Sequence, residues 1–89
     1  MPYKIDYLID LDKALKKIPK HDAKKIKEKI ESLSKDPRPY GAIKMSGKEL
    51  YRVRVGNYRV VYSIFDSKLL VFIVEVDGRD DVYRACLKT

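Results

Sequence analysis

The sequence predicts an α+β fold: an N-terminal strand, then an antiparallel helical hairpin packed on a small, mainly antiparallel sheet. The order is β-α-α-β-β-β, with a short C-terminal tail or helix. Three observations predict it. Apolar residues recur at helical spacing between residues 11 and 33. They alternate with polar residues, or run continuously, between residues 50 and 76. The run Asp36-Pro37-Arg38-Pro39-Tyr40-Gly41 separates the two regimes, because proline and glycine interrupt both kinds of repeat. With 89 residues and 45% hydrophobic content the chain has room for one small core, and no repeat, linker or low-complexity stretch divides it.

Each element has a local reason. Tyr3, Ile5 and Tyr7 alternate with Lys4, Asp6 and Leu8, as in a short strand. Asp10 suits an N-cap, and Leu11, Ala14, Leu15 and Ile18 then form one stripe of a short helix. Pro19 ends that helix by disfavouring the helical conformation of the residue before it, and a second helix starts at once. Its apolar stripe is Ala23, Ile26, Ile30 and Leu33, with Lys24, Lys25, Lys27, Glu28, Lys29 and Glu31 around it. Beyond the proline loop, Leu50–Val55 and Tyr58–Phe65 read as strands joined by Gly56-Asn57. Glycine at the first central position suits a two-residue type II′ turn. Asp66-Ser67-Lys68 turns the chain into Leu69–Val76, the most apolar segment and therefore an interior strand that Gly78 breaks. Arg79–Thr89 is a polar tail with room for one or two helical turns.

Composition narrows the chemistry. One cysteine, Cys86, excludes an internal disulfide and a cysteine zinc site, and one histidine, His21, disfavours a histidine metal site or triad. Cys86 reads as a small packing residue and His21 as a solvated residue at a helix start. Asp10-x-Asp12 has the makings of a magnesium site, but an N-cap followed by a first-turn acid explains it more simply. No metal and no cofactor are expected. No apolar run approaches a membrane span, and Met1-Pro2-Tyr3-Lys4 lacks the apolar stretch of a secretory leader, so a cytoplasmic protein without membrane contact is expected. Twenty Lys and Arg against thirteen Asp and Glu give a net charge of +7, which favours an anionic partner. Residues 1–45 carry twelve basic and seven acidic residues, so the helical half supplies most of the long-range field.

The predicted hairpin decides where the arginines go. With Gly56 and Asn57 as loop residues, Val55 pairs with Tyr58, Arg54 with Arg59, Val53 with Val60 and Arg52 with Val61. Side chains alternate between faces along a strand. Arg52, Arg54 and Arg59 then share one face, and Tyr51, Val53, Val55, Tyr58, Val60 and Tyr62 share the other, the natural bed for the helices. Like charges placed directly opposite each other destabilise a strand pair. Three guanidiniums on one surface point to a polyanion site, because their forked donors match phosphate oxygens. The alternative is a solvated face balanced by Glu49, Glu75 or Asp77. Glu75 shares its strand parity with Leu69, Val71 and Ile73 and is expected to reach the arginine face. Arg79 and, four residues on, Tyr83 extend the set. An exposed ring beside arginines suits stacking on an unpaired base, although Tyr83 serves equally well as an anchor for the tail.

The run Tyr51-Arg52-Val53-Arg54-Val55-Gly56-Asn57-Tyr58-Arg59-Val60-Val61-Tyr62, followed by Val74-Glu75-Val76-Asp77-Gly78-Arg79-Asp80-Asp81-Val82-Tyr83-Arg84, resembles the signature of the RelE/ParE toxin superfamily. The resemblance covers residues 1–89 as a single RelE-like toxin domain. It implies the small α+β fold of type II toxins and a cognate RelB-like antitoxin, the complex being a hetero-oligomer. The RelE branch implies a ribosome-dependent endoribonuclease that cuts mRNA in the A site by metal-independent 2′-hydroxyl attack and so inhibits translation. The ParE branch implies instead a protein that inhibits DNA gyrase by binding it; a non-catalytic RNA-binding domain is a third reading. Carried over position by position, the RelE-type site comprises Arg52, Arg54, Arg59, Arg79 and Tyr83. Two departures stand out. RelE enzymes often have lysine at the positions of Arg52 and Arg54, and a Gly-His-Arg run where this chain reads Asp77-Gly78-Arg79. Arginine, with a pKa above ~12, is a poor proton acceptor. The group that takes the 2′-proton is therefore open, with Arg52 and a ribosomal group as the alternatives.

Overall fold

Lys4–Tyr7, strand β1, begins a chain whose computed structural model describes residues 2–45, 47 and 49–78. Asp10 caps helix α1 (Leu11–Lys16) as its spacing predicts, its carboxylate accepting from the Lys13 amide at 3.2 Å. Helix α2 (Lys20–Leu33) follows with Pro19 at the N-cap rather than inside the first turn, in an extended conformation at φ −53° and ψ 143°. Its stripe is buried as the periodicity requires: Ile26, Ile30 and Leu33 are at most 1% exposed.

Strands β3 (Tyr51–Val55) and β4 (Tyr58–Phe65) form the predicted hairpin in the predicted register. Gly56 lies at φ +61°, while Leu69 is the sole non-glycine residue at positive φ among those described. Asn57 is therefore at negative φ, which matches a type II′ turn and excludes type I′. A 3₁₀ turn, Asp66–Lys68, leads through Leu69 at φ +50° into strand β5 (Leu70–Gly78).

Two features depart from the expected order. A short strand β2 (Ile43–Lys44) pairs antiparallel with β3 along the far edge, inside what reads as loop. Two residues are too few to show a period, so only the partner strand reveals it. Strand β5 also starts one residue later than expected and continues through Asp77 and Gly78, which lie opposite Arg59 and Tyr58. Gly78 is thus the last residue of the strand, not a break two residues after its end.

The five strands lie in the order β1-β5-β4-β3-β2, with β1 parallel to β5 and every other pair antiparallel. The sequence thus anticipates the mainly antiparallel sheet, and β5 is interior as its apolar content demands. Both helices cover one face. There Leu15, Ile26, Ile30 and Leu33 meet Val53, Val60, Tyr62, Val71 and Ile73, with Tyr51, Val55 and Tyr58 packed around them. Full burial of such side chains contributes about 1.5–3 kcal/mol each, and this face holds the molecule together. On the opposite face none of the described strand residues is buried. The predicted tail, with Arg79, Tyr83 and Cys86, lies outside the described residues.

Candidate functional site

Arg52 and Arg54 on β3 and Arg59 on β4 stand on the face turned away from the helices, as the hairpin register requires. Arg54 is exposed and directly opposite Arg59; Arg52 and Arg59 are half-buried. They border a groove of about 570 Å3 lined by Gly41, Ile43, Arg52, Val53, Arg54 and Arg59. The β2 edge and the turn at Gly41 form one wall of it, a contribution invisible in the sequence because β2 is. Among the described residues none of the three arginines makes a salt bridge. Glu49, one of the acids considered as their counterion, instead approaches Lys44 at 3.8 Å, with its side chain 92% exposed.

The other two acids are on the arginine face, by a route the sequence hides. Val61 pairs with Glu75 and Tyr62 with Ile73, so β5 carries one extra residue, Val74, as a β-bulge. The bulge shifts the alternation. Val71 and Ile73 point into the core, fully buried, whereas Glu75 and Asp77 follow the outward set. Glu75 therefore does not share a face with Val71 and Ile73, as unbroken parity would require. It reaches the arginine face only because the bulge re-aims it. Two rows result across the sheet: Arg54, Arg59 and Asp77 in one, Arg52, Val61 and Glu75 in the next. The neighbouring Asp77 carboxyl, together with partial burial, raises the Glu75 carboxyl to about 7.

A second polar cluster supports the sheet from its other end. The Arg38 guanidinium donates twice to Asp66, at 3.2 and 2.9 Å, and its Nε donates to the Tyr51 hydroxyl at 3.2 Å. It also lies over the Tyr51 ring, 5.3 Å from the centroid. Tyr3 donates its hydroxyl to Asp66 at 2.6 Å. Tyr51 stacks on Tyr62, with centroids 5.9 Å apart, and the buried Tyr62 hydroxyl donates to the Pro37 carbonyl at 2.8 Å. Burial pushes the Tyr62 phenol up to about 12, so it stays a donor. Arg38 and Tyr3 hold the Asp66 carboxyl down at about 2, and so it remains an acceptor. The network pins the proline loop and β1 to the turn before β5. Nothing local marks it in the sequence, since Arg38 and Asp66 are 28 residues apart.

The described residues thus bring together three of the five predicted site residues; Arg79 and Tyr83 lie outside them. Residues 6–83 match the family of the ParE toxin of type II toxin–antitoxin systems. The chain is 34% identical over 76 residues to the candidate toxin RelE1 of Methanocaldococcus jannaschii, covering 81% of this chain and 84% of that protein. Among solved structures it is similar to the archaeal RelE–RelB complex from Pyrococcus horikoshii OT3, with a TM-score of 0.77 and 30% identity over 89% of this chain and 97% of that one. It is also similar to a double-arginine mutant of Escherichia coli toxin RelE in the free state, with a TM-score of 0.72 and 25% identity over 99% and 97% of the two chains. With a family match across most of its length, and an open arginine face on the fold these toxins share, the chain belongs to the RelE/ParE superfamily of type II toxin–antitoxin toxins.

Proposed function

We propose that this toxin is a ribosome-dependent endoribonuclease of the RelE type, cutting mRNA in the A site by 2′-hydroxyl attack without a metal ion. The observation that carries the reading is the face bearing Arg52, Arg54 and Arg59, open to solvent and lined along a groove. An attack by the RNA's own 2′-oxygen on the adjacent phosphorus gives a 2′,3′-cyclic phosphate and a 5′-hydroxyl. The protein has to orient the attack in line and neutralise charge growing on the phosphoryl oxygens. Arg54 and Arg59, opposite each other, are placed to clamp the phosphate, with Arg52 one row away. Arg79 stabilises the leaving 5′-oxygen, and Tyr83 stacks on a base and splays the strand. A site built of guanidiniums supplies charge rather than strong proton transfer, in keeping with reliance on the ribosome to fix the RNA geometry.

The partner of this reading is a RelB-like antitoxin forming a hetero-oligomer, as RelE does in the Pyrococcus horikoshii complex. One domain over residues 1–89, working in the cytoplasm, completes the picture. No helix among the described residues is long and apolar enough to cross a membrane. The second reading, a ParE-like protein that binds gyrase, is favoured by the description of the matching family.

A translation extract separates them. Purified toxin added to it should produce new mRNA 5′ ends at A-site positions. Arg59→Ala or Arg79→Ala should reduce cleavage ~10²–10³-fold, the typical effect of removing one preorganised charge, while ribosome association is largely retained through the lysines of the helical half. Normal cleavage by both variants would remove these residues from the site. Absence of cleavage by the wild type, with gyrase stalled instead, would replace the ribonuclease reading with the ParE-like one.

A further inference from the structure

Arg52, Arg54 and Arg59 are themselves poor proton acceptors, and the β5 bulge turns a carboxylate onto their face. We propose that Glu75 is the general base that takes the 2′-hydroxyl proton, an assignment that rests on the ribonuclease reading above. Arg59 lies directly opposite Asp77, and Glu75 is the next outward residue on β5. Arg59 and Glu75 are thus diagonal neighbours across adjacent strands, a relation that puts the two residues roughly 7–8 Å apart, their Cβ atoms somewhat closer and within reach of long side chains. A phosphate held by Arg59 and Arg54 therefore has its flanking ribose within range of the Glu75 carboxylate.

The bulge is the second support. Were Val74 to take a regular place in the alternation instead of bulging, Glu75 would continue the inward series of Val71 and Ile73 and carry a carboxylate into a core that is fully buried there. A bulge breaks the hydrogen-bond ladder locally, and such irregularities commonly re-aim a side chain beside a reactive site. Here the re-aimed groups are the two acids, beside three arginines without a salt-bridge partner among the described residues.

The surroundings also suit a base working near neutral pH. Asp77 flanks Glu75 on β5, Val61 faces it from β4 with Arg59 diagonal, and Arg52 and Arg54 stand one strand further on. The register of β1 ends at Tyr7 opposite Ile73, so that strand brings no charge abreast of Glu75. Asp77 disfavours the ionised form and partial burial adds to this, which lifts the carboxyl to about 7. A base whose pKa lies near the working pH is the most effective one. In the step itself the carboxylate of Glu75 accepts the 2′-proton and the 2′-oxygen lone pair forms the O2′–P bond. The P–O5′ bond breaks with its electron pair on O5′, which takes a proton from water. Charge and atoms balance with no further reactant.

The test is single-turnover cleavage of mRNA on programmed ribosomes from about pH 6 to 8.5, with wild type, Glu75→Gln and Asp77→Asn. Wild-type cleavage should rise with pH through a limb near neutrality. Glu75→Gln should cleave ~10²–10⁴-fold more slowly and lose that limb, while its ribosome affinity stays at the wild-type level. Asp77→Asn removes the neighbouring negative charge and should move the limb to lower pH. Cleavage by Glu75→Gln at the wild-type rate or faster would overturn the assignment, and faster cleavage would make the acid a brake on the arginines. A slower Glu75→Gln that keeps the limb, or an Asp77→Asn with an unmoved limb, would overturn it as well. A wild type that does not cleave sinks the ribonuclease reading itself, a result distinguishable from all of these.

Discussion

Arg54, exposed, and Arg59, half-buried, face each other across a strand pair. Such a pair is unfavourable by roughly 0.2–1 kcal/mol relative to a neutral one. The fold therefore does not need these charges. Arg54→Gln should leave stability unchanged or raise it by a few tenths of a kcal/mol in urea unfolding; a large loss would mean that Arg54 is held in an ion pair. The pairing was legible in the sequence because it depends only on a two-residue loop and on counting outward from it. Glu75 was legible only in part. Counting by twos from Val71 and Ile73 fails at Val74, since a bulge is a property of two strands and one strand alone does not disclose it.

The join between β4 and β5 shows the same division between what one element encodes and what its neighbours impose. Asp66-Ser67-Lys68 reads correctly as a turn, but the next residue does not begin the strand. Leu69 adopts the left-handed conformation at φ +50°, while its carbonyl accepts from the Lys4 amide at 2.7 Å and its amide donates to the Asp66 carbonyl at 3.2 Å. That conformation costs an ordinary L-residue roughly 1–2 kcal/mol, less for asparagine. Leu69→Asn should therefore exceed Leu69→Val in thermal stability, because asparagine tolerates this conformation, while both variants give up part of the packing of a side chain that is 37% exposed. Leu69→Val, branched at Cβ, should lose about 1–2 kcal/mol. Equal stability of the two variants would mean that the turn relaxes and stores no strain. A leucine at the start of an apolar run reads as strand, so nothing local signals this conformation. Strand β2 is missed for a related reason: two residues show no pattern until β3 pairs with them.

At the scale of the molecule, the helices find the sheet through their stripes, which periodicity reveals, while the Arg38–Asp66–Tyr3 network joins three distant segments that periodicity leaves unconnected. This network contributes to the response to acid. Asp66 is held at about 2 in the folded protein, against ~3.9 for an ordinary aspartate. Between those values the unfolded chain binds a proton that the folded one does not. The stabilisation is thus fully present above about pH 4 and is lost as pH falls through about 2. Thermal midpoints measured from pH 5 to pH 2 should fall across this window for the wild type and fall less steeply for Asp66→Asn. Because the pair is exposed, added salt should shrink the difference. Identical pH slopes for the two proteins would remove Asp66 from the acid response.

The parallel pairing of β1 with β5 bears on how the chain comes into being. Lys4 sits beside Leu70, and Tyr3 reaches Asp66 across 63 positions, so β1 waits for β5. Contacts that distant in sequence form late and slow the search for the native state. The outward arginine surface, in turn, is organised by β4 lying between β3 and β5, with the bulge supplied by β5. Before β5 joins, the β3–β4 hairpin carries the three arginines without the two acids that β5 brings to their face. The mixed-charge surface is therefore assembled by the pairing of sequence-distant segments, the same step that completes the sheet.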